Sequence, residues 1–113
     1  MPIEKWSEQI TIARLPGDQH LNEELQTLLE NAADSPVDLV IDMTALRYIN
    51  SSHIARLLKL RKLTVGGDRR MVLASVDPQV WSAFLVTGLD KVFDFADVVP
   101  AALASLQVAK NSS

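Results

Sequence analysis

The sequence predicts an α/β fold: one domain, residues 1–113, on a mixed, mostly parallel sheet of four to five strands with about four helices. Two observations carry this. Short apolar, β-branched runs alternate with longer stretches whose apolar residues recur three and four positions apart. The run Leu39-Val40-Ile41 is apolar at successive positions, the mark of a central strand covered on both faces. With 113 residues, nearly half of them hydrophobic, the chain is long enough to bury a real core.

Ile3 to Leu15 reads as one or two strands, with Ile10 and Ile12 alternating against Thr11 and Ala13. Pro16-Gly17-Asp18 is a turn. Asn22 is expected to cap a helix whose Leu25, Leu28, Leu29 and Ala32 share one face. Ser35 precedes a proline and is pushed from helical dihedrals, so that helix ends there. Val37 to Met43 is the central strand, and a long basic helix begins at Asn50 or Ser51. Gly66-Gly67 closes it, with Gly66 expected in the left-handed cap position. Met71 to Ala74 is a further short strand. Asp77 caps the next helix, Pro78 takes its first turn and Gly88 ends it; Val80, Trp81, Phe84 and Leu85 are its expected buried stripe. Val92 to Phe95 reads as the last strand. A final helix runs from about Val98 to Ala109 with Val99, Leu103 and Leu106 inward, and Lys110 to Ser113 should fray.

Composition narrows the function classes. A net charge of −3 gives no overall pull toward nucleic acid, and no aromatic residue is interleaved with the basic ones. The absence of cysteine removes thiolate and disulfide chemistry. The opening residues lack a basic segment followed by an apolar one, and no apolar run approaches bilayer length, so a cytoplasmic protein without membrane insertion is expected. His20 and His53 sit in no metal-ligand cluster, so no metal or cofactor is expected. Ser51 and His53, two apart at a helix start, diverge instead of forming a nucleophile–base pair. Asp38 and Asp42 share a strand face and read either as a carboxylate pair or, the favoured reading, as markers of the strand's ends and a capped turn. No catalytic residue is assigned.

The chemistry-bearing stretch is Asn50-Ser51-Ser52-His53. All but the histidine are good N-cap types, and the central strand delivers them to the carboxyl edge of the sheet, where function in open α/β sheets usually lives. From spacing alone Ser51 is a plain cap or an exposed phosphoacceptor, and Ser52 could take either role. Along the helix, Arg56, Lys59 and Lys62 form a basic stripe flanked by Leu60 and Leu63. Ile54, Leu57 and Leu58 face the sheet, with Arg61 interrupting that face. Leu60 and Leu63 read either as core or as a surface for a partner protein.

The run Asp42-Met43-Thr44-Ala45-Leu46-Arg47-Tyr48-Ile49-Asn50-Ser51-Ser52 resembles the signature of the STAS domain of bacterial anti-sigma factor antagonists. The resemblance continues through Gly66-Gly67, Met71, Asp77-Pro78 and Thr87-Gly88-Leu89, and Leu15-Pro16-Gly17-Asp18 resembles the family's turn after its first hairpin. It implies binding to an anti-sigma factor that is a serine kinase, release on serine phosphorylation, and a phosphatase that reverses the step. Carried onto this chain, Ser51 matches the phosphoacceptor, with Ser52 as the alternative. Asn50, Ser52, His53, Arg56, Lys59, Leu60 and Leu63 match the docking surface, with Asp18 as the candidate acidic residue of the turn. The motif's aspartate is Asn50 here and its glycine is His53. The expected state is a monomer or weak dimer. The resemblance admits a second role, an accessory subunit of a lipid-transport ATPase that docks without phosphorylation.

Overall fold

A computed structural model describes residues 3–111, with side chains through residue 107. Strand β1 (Ile3–Lys5) and strand β2 (Ile10–Arg14) form an antiparallel hairpin. Helix α1 (Leu21–Asp34), strand β3 (Asp38–Asp42), helix α2 (Ser51–Gly66), strand β4 (Met71–Ala74) and helix α3 (Pro78–Thr87) follow. A 3-10 turn (Leu89–Lys91), strand β5 (Asp94–Ala96) and helix α4 (Val99–Asn111) complete the chain. The five strands lie in the order β1-β2-β3-β4-β5, and every pairing after the hairpin is parallel.

The period-2 alternation of the strands splits the core into two layers. Ala13, Leu39, Ile41, Met71 and Leu73 point to the face covered by α1, α2 and α3. Ile10, Ile12, Val40, Val72 and Ala74 point to the other, where Ala102 and Leu106 of α4 cover them. Both sides of β3 are therefore sealed, as its apolar run predicts. The buried Asp38 carboxylate accepts the Arg70 N–H at 3.0 Å and ties the start of β3 to the entry of β4.

Several boundaries differ from the sequence reading, each for a local reason. Helix α1 starts at Leu21, one residue before Asn22, because the Asp18 carbonyl accepts the Leu21 N–H and the Asp18 carboxylate accepts that of His20. Asn22 is thus inside the helix and caps nothing. Gly66 is helical, and the left-handed residue is Asp68, with φ 62°. Arg69 N–H reaches back to Thr64 O and Asp68 N–H to Val65 O, closing α2 in a Schellman arrangement. Gly67 is demanded by packing: a Cβ there would lie 2.6 Å from the Pro36 ring. Gly88, at φ 75°, is the left-handed cap expected at the end of α3.

Leu85 is exposed and not in the buried stripe of α3, whereas Val80 and Phe84 are buried and Trp81 meets the Phe95 ring edge-on. Strand β5 begins two residues later than expected, because the Leu89 carbonyl accepts the N–H groups of both Val92 and Phe93 and holds them in the turn. Leu106 is inward, and Val99 and Leu103 pack half-buried beside it. Helix α4 extends to Asn111, two residues past the expected end at Ala109; Ser112 and Ser113 lie outside the described residues.

Candidate functional site

The segment joining β3 to α2 is held down at every third residue. Met43, Leu46 and Ile49 are buried, while Thr44, Ala45, Arg47 and Tyr48 between them face solvent. Asp42 ends β3 by accepting the Thr44 N–H at 3.0 Å and the Thr44 hydroxyl at 2.5 Å on one oxygen, an Asx-type turn. Arg47 donates to Thr44 O at 2.9 Å and lies 3.6 Å from Asp77 at the start of α3. The turn after β2 is pressed onto this segment. A Cβ on Gly17 would stand 2.1 Å from the Ala45 carbonyl oxygen, so only glycine permits the approach. The turn carrying Asp18 and the connector leading to Ser51 thus meet at the carboxyl edge of the sheet.

At the start of α2 the Asn50 side chain accepts the His53 N–H at 2.9 Å, and His53 Nδ1 accepts the Asn50 N–H at 3.2 Å. This is a reciprocal capping box with histidine in the place usually taken by Glu or Gln. An accepting Nδ1 requires the neutral ring. Partial burial, with Arg56 nearby, pushes the His53 pKa below its ordinary value of 6.5, which favours that form. The same hydrogen bond occupies the nitrogen a serine would need as its base. Ser51, the first helical residue, is exposed. Ser52 is also exposed, but its hydroxyl accepts a hydrogen bond from Arg56 one turn along.

The predicted site residues divide into three groups. Asn50, Ser51, Ser52, His53 and Arg56 gather at the N-terminus of α2. Asp18 sits on the adjoining turn with its carboxylate held by His20, whose N–H lowers the Asp18 pKa. Lys59 and Leu63 lie farther along α2, beside the end of α1. Leu60 is the correction: it is completely buried in the core between sheet and helices, so it meets no partner. Its apolar character fitted core and docking equally, and only the packing of α2 into that core separates them. Asp38 and Asp42 mark the ends of β3, as their spacing suggests. Tyr48, a residue of the signature-like run with no role expected of it, is 70% exposed two positions before Asn50. The three-residue spacing of Met43, Leu46 and Ile49 was the signal that Tyr48 points outward.

Among the described residues no group of three His, Cys, Asp or Glu side chains could hold a metal. Among the described residues no helix is long and apolar enough to cross a membrane.

Three solved structures have the same architecture. An anti-sigma-factor antagonist domain protein from Planctomyces limnophilus is 21% identical, with 93% of this chain and 97% of that chain covered at a TM-score of 0.80. A Thermotoga maritima protein described as an anti-sigma factor antagonist is 13% identical, with 94% and 93% covered at 0.81. A serine-to-glutamate variant of RsbS from Moorella thermoacetica is 23% identical, with 97% and 99% covered at 0.76. No curated protein matches the sequence. The STAS domain family model matches residues 7–102, a span from the β1–β2 hairpin into α4 that takes in the whole connector and α2. The overall architecture is therefore shared with these proteins, and the chain belongs to the STAS domain family.

Proposed function

We propose that this chain is a regulatory docking module, an anti-sigma factor antagonist that binds an anti-sigma factor with serine kinase activity and is released when Ser51 is phosphorylated. The observation that carries this reading is the position of Ser51: an exposed hydroxyl on the first residue of a 16-residue helix at the carboxyl edge of the sheet. A phosphate there brings nearly two negative charges to the positive end of a helix, which tolerates them well. The docking surface comprises Asn50, Ser52, His53 and Arg56 with the exposed Tyr48, and Asp18 on the adjoining turn. Ser51 is the favoured acceptor because the Ser52 hydroxyl is engaged by Arg56. Once Ser51 carries a phosphate, Arg56 can turn to it, and the partner loses a cation and meets a dianion. A phosphatase resets the site.

The test is affinity capture from native lysate with wild type, Ser51→Ala and Ser51→Asp as baits, read together with the intact mass of the chain. Wild type and Ser51→Ala should hold one kinase partner, and Ser51→Asp should hold at least about tenfold less. If both variants capture it equally, Ser51 is no switch. The second reading is constitutive docking to a transport ATPase. It draws on the capping box, which joins Asn50 and His53 without engaging Ser51. An ATPase captured equally by all three baits, with the chain at its unmodified mass, would support it.

A further inference from the structure

Away from Ser51, the C-terminal halves of α1 and α2 leave an open groove of about 760 Å³ between them. Ala32, Ala33, Leu58 and Leu63 give it an apolar floor, and the contact of Pro36 with Gly67 closes one end. Lys59 and Lys62 stand on its rim, both exposed. Three residues apart on a helix, they are neighbours on one face. Among the described residues neither has a carboxylate within salt-bridge distance. The surrounding sequence sharpens the imbalance. Residues 43–67 carry five lysines and arginines and none of the chain's 14 aspartates and glutamates.

The geometry points to a second docking surface here, for an acidic amphipathic helix of another protein. Its apolar stripe would lie on the alanines and leucines, and carboxylates spaced three or four apart would meet Lys59 and Lys62. No helix of this chain supplies such a ligand. Helix α1 is acidic, but Ala33 is its only exposed apolar residue. Helix α3 exposes Leu85 and Val86 but has no charged residue, and α4 has no carboxylate. A second copy therefore offers no acidic amphipathic helix to lie in the groove. The groove lies open to solvent, a shape better suited to a helix laid along it than to a small ligand, which binding sites mostly enclose.

Position gives the surface its consequence. Lys62 lies eleven residues beyond Ser51, about 16 Å along the helix axis. That exceeds the Debye length of roughly 8 Å at physiological salt, so a charge on Ser51 is largely screened from the groove. A partner held there would stay bound while the N-terminal surface is switched. The inference holds whether or not Ser51 is modified.

The probes are two blocked helical peptides sharing one leucine stripe, flanked by glutamates in the first and by lysines in the second. Binding is followed by amide chemical shifts. The glutamate peptide should shift Ala33, Leu58, Lys59, Lys62 and Leu63, and the lysine peptide should not. Reversing the rim with Lys59→Glu and Lys62→Glu should weaken the glutamate peptide by at least about tenfold and admit the lysine peptide. Ala33→Trp, at an exposed position, should fill the groove and abolish binding with the fold intact. Ser51→Asp should change affinity by less than about twofold. The inference is overturned by the absence of shifts in the groove, by equal binding of both peptides, or by loss of binding in Ser51→Asp. It is also overturned if decanoate displaces the peptide from the groove, which would make this a site for an anionic lipid chain. Sedimentation showing a dimer that Lys59→Glu and Lys62→Glu dissolve would instead assign the groove to a second copy.

Discussion

At the scale of single residues, Asn50 and His53 act as one unit. Each replaces a residue of the signature that the sequence resembles, and in the fold each satisfies a backbone N–H of the other. Asn50→Ala should therefore cost about 1 kcal/mol of stability, the usual value of a lost N-cap, as read from denaturant unfolding. The histidine adds a pH dependence whose sign follows from its depressed pKa. Well above pH 6.5 the ring is neutral in folded and unfolded chains, so its contribution is constant. As the pH falls below that value the unfolded chain takes up a proton that the folded site resists, and stability declines. The decline ends below the folded pKa, where both states are protonated. Subtracting the stability curve of His53→Gln from that of wild type should isolate this decline. A difference that is flat from neutral pH down to acid would mean that the folded site does not depress the His53 pKa.

At the scale of elements, α2 combines three environments on one helix. Its start carries the exposed serines, its middle is sealed against sheet and α1, and its far half borders the groove. Leu60 and Lys59 are neighbours in sequence but sit in different environments. Leu60→Ala should cost roughly 2–5 kcal/mol, as core truncations do, while Lys59→Ala should stay within about 0.5 kcal/mol. Thermal unfolding of the two variants checks this, and a small effect of Leu60→Ala would place that side chain at the surface. The buried Thr64 belongs to the same sealed face, its hydroxyl bonded to the Leu60 carbonyl at 2.8 Å. A polar residue can be sealed there because the helix itself supplies the acceptor.

At the scale of the whole molecule, the helices are shared unequally between the faces of the sheet. Three cover one face, and α4 alone covers the other, where Ile12, Val40 and Val72 would otherwise meet water. A chain ending at Asp97 should therefore lose its cooperative thermal transition and bind a hydrophobic dye. A native-like melt for this truncation would show that α4 is dispensable to the core. Charge is divided as unequally as the helices. The connector and α2 are wholly basic in an otherwise acidic molecule, so the net charge of −3 conceals a cationic surface. Association with an acidic partner through that surface should slow as salt is added.

The sequence by itself determined the alternation of strands and helices, the sealed β3, the Pro78 start and Gly88 end of α3, and a start of α2 at Asn50 or Ser51. Each of these follows from dihedral preference, side-chain capping or hydrophobic period, which act within a few residues. Tertiary structure decided what depends on a distant neighbour. Leu60 is core because α2 packs into the layer shared by the sheet and the helices on that face, Gly67 is glycine because Pro36 lies against it, and Gly17 is glycine because the Ala45 carbonyl approaches it. Lys59 and Leu63 likewise border a groove only because the end of α1 lies beside them. Contacts between residues tens of positions apart leave no period in the chain, so only the folded arrangement could reveal them.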